Sequence, residues 1–98
     1  MSSTMAKEWL LAIAARQVSH RVLAVAMLFA HHADDNGEAQ LSRRFVEKSS
    51  GAGTVLDGAK GLKVLLNSGW LTVTADADAN TRTPRTFRLT TPTEKNLS

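Results

Sequence analysis

Cysteine is absent from this chain of 98 residues. That excludes disulfides, thiolate nucleophiles and cysteine-based zinc sites together. Long hydrophobic runs are missing too: the most apolar stretch, residues 22–30, falls far short of the roughly 20 residues that span a bilayer. Residues 1–6 carry no charged leader of the kind that opens an export signal. The expectation is a cytoplasmic protein without membrane contact. Aromatic residues are scarce, and Trp9 and Trp70 read as core or interface anchors rather than as stacking platforms.

Catalytic constellations are equally hard to assemble. No nucleophile, base and orienting group occur in a recognisable pattern, and Gly51-Ala52-Gly53 is better explained as a turn than as a phosphate cradle. His20, His31 and His32 lack the Cys or acidic neighbours that complete a ligand set, and Asp34-Asp35-Asn36 lacks the alternating ligands and closing Glu of a calcium loop. The chain is therefore expected to be non-enzymatic, with no metal and no cofactor.

What is present is an ordinary globular composition, 43% apolar and 21% charged, in a length that suits one domain with one core. Twelve Lys and Arg against nine Asp and Glu give a net charge of +3, which favours anionic partners. The excess is concentrated. Residues 41–89 hold eight basic side chains (Arg43, Arg44, Lys48, Lys60, Lys63, Arg82, Arg85, Arg88) against four acidic ones (Glu47, Asp57, Asp76, Asp78), and the remainder is close to neutral.

Apolar spacing predicts an N-terminal amphipathic helix over 5–16, with Ala6, Trp9 and Ile13 on one face and Leu10 beside them. Gln17 and Val18 break it. Ser19 is placed to start a second helix running to about Ala33, apolar around most of its circumference and hence central. Its thinner face holds His20, Ala24, Met27 and His31, where the first helix or a partner subunit could lie. Asp34-Asp35-Asn36-Gly37 is a turn, and 38–40 can form a short edge strand.

A short helix over 41–49 follows, with Phe45 and Val46 inward. After a glycine turn, Thr54 and Asp57 are spaced to cap a helix that reaches Asn67 and stops at Gly69. Val55, Gly58, Ala59, Leu62, Leu65 and Leu66 share its inner arc; Leu56, Asp57, Lys60, Lys63, Val64 and Asn67 share the outer one. Residues 70–75 and 86–90 alternate as two strands, with Leu71, Val73, Phe87 and Leu89 on the core face, around a polar loop over 76–85. The tail over 91–98 is polar and is expected to be flexible.

In this order and spacing, the apolar helix over 22–33, Asp34-Asp35-Asn36-Gly37, the Ser-led helix from Ser42 to a small residue and Gly51, the helix over 54–67 and Gly69-Trp70-Leu71 resemble the winged helix-turn-helix family of bacterial, plasmid and phage regulators and replication initiators. The likeness covers residues 19–90. It implies a mainly α fold with a small β-hairpin: three core helices, the additional N-terminal helix, and a two- to three-stranded antiparallel wing sheet. It also implies binding of double-stranded DNA in transcription regulation, or in replication, conjugative transfer or partition of a mobile element.

The DNA-binding residues expected on that basis are Arg43, Arg44 and Lys48 on the short helix, Thr54, Lys60, Lys63 and Asn67 on the next, and Arg82, Arg85 and Arg88 on the wing. One departure from the family pattern bears on function. Where its members place Arg, Gln or Ser early in the recognition helix, this chain has Val55, Leu56, Asp57 and Gly58. The competing expectation is a winged helix used for protein contact through Val55, Leu56, Val64 and the glycines Gly58 and Gly61 of that helix. A lone module covers little DNA, so a homodimer or repeated sites are expected, with Trp9, Leu10, Leu11 and Ile13 as the dimer contact.

Overall fold

The structure, a computed structural model, describes residues 4–51, 53–78, 80 and 82–92. Among them the chain forms α1 (Thr4–Ala14), α2 (His20–His32), β1 (Glu38–Gln40), α3 (Arg43–Ser49), α4 (Val55–Asn67), β2 (Leu71–Ala75) and β3 (Thr86–Leu89). The strands make one antiparallel sheet in the order β1-β3-β2. The architecture is thus mainly α with a small sheet, and the 38–40 segment is its edge strand. No described helix is long and apolar enough to cross a membrane. Residues 93–98, most of the tail expected to be flexible, lie outside the described residues.

The core forms around α2, which buries Val22, Val25, Ala26, Phe29 and Ala30. Phe29 meets Phe87 of β3 edge to face, with ring centroids 4.9 Å apart, the arrangement that the opposed charge of ring face and ring edge favours. The broad apolar arc of α2 follows from its position between α1 and α4.

Helix α1 closes the other side, burying Ala6, Trp9 and Ile13. An indole N–H taken out of water needs an acceptor, and Trp9 Nε1 has two: it donates to the carbonyls of Trp70 at 3.0 Å and Thr90 at 2.9 Å. Arg16 adds a guanidinium 5.9 Å from the Trp70 ring centroid. This latch corrects the expected dimer contact. Trp9 and Ile13 are buried in the chain's own core and Leu10 packs partly buried against it; of the four, Leu11 is the one that is exposed, at 60%.

Helix α4 begins and ends on local chemistry. The Thr54 hydroxyl accepts the Asp57 amide N–H at 3.1 Å, and the Asp57 carboxylate accepts the Thr54 amide at 3.2 Å, a complete capping box. At the other end Gly69, at φ +86, lets its own amide reach the Leu66 carbonyl and the Trp70 amide reach the Leu65 carbonyl, which satisfies the last turn. Helix α3 starts the same way, with the Ser42 hydroxyl accepting from the Phe45 amide.

The two glycines inside α4 are sites of backbone contact. A Cβ on Gly61 would lie 2.6 Å from the Arg21 carbonyl oxygen of α2 and 2.9 Å from a Val25 methyl; one on Gly58 would lie 2.9 Å from the Glu47 Cα of α3. The helix therefore rests on both neighbours at distances only glycine permits. This seating puts both glycines on the buried face of the helix, while Val55, expected on its inner arc, is 52% exposed. Phe45, expected inward, is also partly exposed, because Val46 fills the inward position of α3 while Phe45 packs edge-on against His32 at 5.5 Å.

In the sheet, Leu71, Phe87 and Leu89 are buried and Val73 is half-buried. The pairing of β2 with β3 shifts register between Val73 and Ala75, and the loop beyond is pinned by an Asp78–Thr83 bridge with both hydrogen bonds at 3.0 Å. The Asp78–Thr83 bridge thus continues the pairing beyond β2 and β3.

Gly61→Ala should gain roughly 1 kcal/mol of helix propensity and lose about 1–3 kcal/mol to overpacking against a carbonyl that cannot rotate away. The net expectation in urea unfolding is a lower midpoint, and an unchanged or raised midpoint would contradict the close seating. A pH titration checks the cap. The amide of Thr54, then its hydroxyl, hold the Asp57 carboxyl below the ordinary aspartate value of 3.8, against a smaller opposing effect of burial, with Arg21 and Lys60 assisting. A group whose folded value is depressed stabilises fully above its unfolded value and loses that contribution as pH falls through the folded one. Asp57→Asn should accordingly flatten the acid limb of the stability curve below pH 3.8 and leave its shape near neutrality unchanged.

Candidate nucleic-acid interface

Because α4 is seated on α2 and α3 through its glycines, the opposite side of the helix faces solvent. Val55, Leu56, Lys60, Lys63, Val64 and Asn67 are all exposed there. A groove of about 460 Å³ runs along this side, lined by Arg43 of α3, Leu56, Ala59, Lys60, Leu62, Lys63, Leu66 and Asn67 of α4, and Arg85 immediately before β3. Every charged residue of that lining is a cation. The apolar part of the lining is aliphatic.

The four cations are held differently. Arg43 donates from Nε to Glu47 Oε2 at 2.7 Å, one helical turn on. With the arginine side chain 74% exposed, such a pair is worth little in water and yields readily to a stronger anion. Arg85 is more constrained: its Nε is buried, lies 3.9 Å from Asp76 Oδ1, and has no hydrogen-bond partner among the described residues. That separation is a Coulomb contact and too long for a hydrogen bond. Lys60 and Lys63 make no ion pair with any described residue. Two unpaired ammonium groups and two loosely held guanidinium groups around one groove give a local positive field that attracts anions.

Of the residues expected at a DNA surface, Arg43, Lys60, Lys63, Asn67 and Arg85 are brought together here. The others are not. Arg44 and Lys48 are exposed on α3 outside the groove lining, and Arg82 is exposed near the end of the 76–85 loop in a left-handed conformation at φ +56. Arg88 is on the solvent face of β3, in register with Glu38 on one side and Thr72 on the other. The Thr54 hydroxyl is committed to the cap, donating to Asp57 Oδ2 at 3.0 Å while it accepts the Asp57 amide.

Asp57, the acid at the start of α4, is drawn into that same cap and faces Arg21 of α2 at 3.7 Å. Its charge is therefore directed away from the Arg43 and Arg85 side. Sequence reading did not single out Arg21 and gave Ser19 only the start of α2; the two line a second groove of about 470 Å³ together with Lys60, Lys63, Val64 and Asn67. Their approach to α4 depends on the Gly61 contact, and no local motif encodes it. Among the described residues no group of three or more His, Asp or Glu side chains is arranged to hold a metal ion.

Comparison with protein-family models, with curated proteins and with solved structures finds no match to this chain.

The distinction between groove residues and other surface cations has a direct check on a heparin column. Lys63→Glu and Arg88→Glu change net charge equally, yet Lys63→Glu should elute at clearly lower salt. Equal shifts would mean that net charge alone governs polyanion binding.

Proposed function

We propose that this chain is a non-catalytic winged-helix protein that binds double-stranded DNA, with α4 as its recognition helix and the 76–85 segment as its wing. The observation that carries the reading is the all-cationic charged lining of the groove between α4, Arg43 and Arg85. Arg43 and Arg85 contact phosphates, Lys60 and Lys63 reach along the groove wall, and Asn67 offers the amide that pairs with base edges. Leu56 and Val64, exposed at 61% and 43%, supply apolar contacts of the kind that thymine methyl groups accept. The protein acts as a transcription regulator or as an accessory factor in replication, transfer or partition. One copy covers a short stretch of duplex, so tight binding uses two copies or repeated sites.

A second reading rests on the same exposed aliphatics. Val55, Leu56 and Val64 are apolar and exposed on α4, and a protein partner could cover them while the cations only solubilise the surface. Charge reversal separates the two. Under the DNA reading, Arg82→Glu with Arg85→Glu abolishes binding of a mixed-sequence duplex in an anisotropy titration, and Leu56→Ala weakens it modestly. Four phosphate contacts correspond to a log-log salt slope of roughly −3.6, so the wild-type affinity should fall steeply between 50 and 200 mM salt, taken as about the usual experimental range. A flat salt response, or full binding by the charge-reversed variant, would overturn the DNA reading.

A further inference from the structure

On the far side of α4 from Arg43 and Arg85 lies the second groove, lined by Ser19, Arg21, Lys60, Lys63, Val64 and Asn67. Its charged lining is again entirely cationic. Lys60, Lys63 and Asn67 belong to both grooves, so they form a ridge with a cationic channel on either flank. We infer that the two channels hold the two sugar-phosphate backbones of one duplex, with Arg21 and Ser19 contacting the strand opposite to the one held by Arg43 and Arg85. The inference rests on the duplex-DNA reading above and adds to it a second set of contact residues.

Three observations on α2 support the assignment. Arg21 is bound to Asp57 only by a 3.7 Å ion pair between half-exposed side chains, a weak contact that a phosphate can outcompete. The Ser19 side chain makes no capping bond to α2, which leaves its hydroxyl able to donate to a phosphate oxygen. The first turn of α2 contains no acidic residue of its own, so within the helix nothing offsets its positive end. A single-stranded chain can follow one channel at a time, whereas a duplex presents two backbones to a ridge lying between them. The geometry therefore favours duplex over single strand.

The test compares salt slopes on a mixed-sequence duplex of about two helical turns and on one of its strands alone. Losing one phosphate contact lowers the duplex slope by about 0.9. Arg85→Gln should lower the slope on both substrates. Arg21→Gln should lower it on the duplex by that amount and leave the single-strand slope unchanged, and Ser19→Ala should weaken duplex affinity only. Because Arg21→Gln also breaks the pair with Asp57, the same comparison is made in an Asp57→Asn background, where the duplex-specific loss should persist.

An Arg21→Gln slope equal to wild type on the duplex, or lowered equally on both substrates, overturns the second channel. In either case the duplex reading stands as long as Arg85→Gln still acts. Failure of the wild-type chain to bind the duplex at any salt overturns the DNA reading itself.

Discussion

The contact between Gly61 of α4 and the Arg21 carbonyl of α2 is the constraint on which the surface depends. With 2.6 Å between that carbonyl oxygen and the position a Cβ would take, the two helices approach as closely as backbones allow. Gly58 repeats the arrangement against α3. Each glycine costs roughly 1 kcal/mol of helix propensity relative to alanine, and the helix recovers it through its capping box, its closed C-terminus and the burial of Leu62 and Leu65. Seating so deep fixes the rotation of α4. Its two glycines turn inward and Lys60, Lys63 and Asn67 are left on the exposed ridge.

The rest of the fold holds that ridge in place. Trp9 ties α1 to the ends of β2 and β3 through two carbonyls more than sixty residues away, and Phe29 against Phe87 ties α2 to the centre of the sheet. The sheet in turn carries the 76–85 segment and sets Arg85 at the groove, its Nε buried and 3.9 Å from Asp76. Arg43 reaches the same groove from α3, steadied by Glu47. Cations from three separate elements converge because each element is anchored on the α2 core, and the carboxylates near them sit at the rim or in the α4 cap. The resulting field is local to one side of the molecule, whatever the modest net charge of the whole chain.

Much of this was legible in the sequence, and the parts that were not have physical reasons. Caps and stops are short-range chemistry, so Thr54 with Asp57, Ser42 and Gly69 marked their helix ends directly. Apolar periodicity gave the buried sides of α2, β2 and β3. It misplaced Val55 and Phe45, because a residue in the first turn of a helix is covered only if a neighbour reaches that far, and because His32 offered Phe45 an edge contact outside the core. Trp9 reads from the sequence as either a core or an interface anchor, since nothing local to 5–16 announces acceptors at Trp70 and Thr90. Arg21 went unnoticed for a similar reason: its proximity to Lys60 and Lys63 arises from helix packing, and its sole trace in the sequence is a glycine in the middle of α4. Half of the expected contact residues gather in the groove. Arg88 does not, because strand alternation sends it to the opposite face from Phe87 and Leu89.

The proposed function requires α4 and its two flanks to form one continuous polyanion-binding face. An amide-resolved NMR titration of the chain with a mixed-sequence duplex measures this most directly. The largest shifts should cluster at Arg21, Arg43, Lys60, Lys63, Asn67 and Arg85, with the Trp9 indole and the amides of α1 unmoved. Shifts concentrated on α1 or on the solvent face of the sheet around Arg88, with α4 silent, would contradict it.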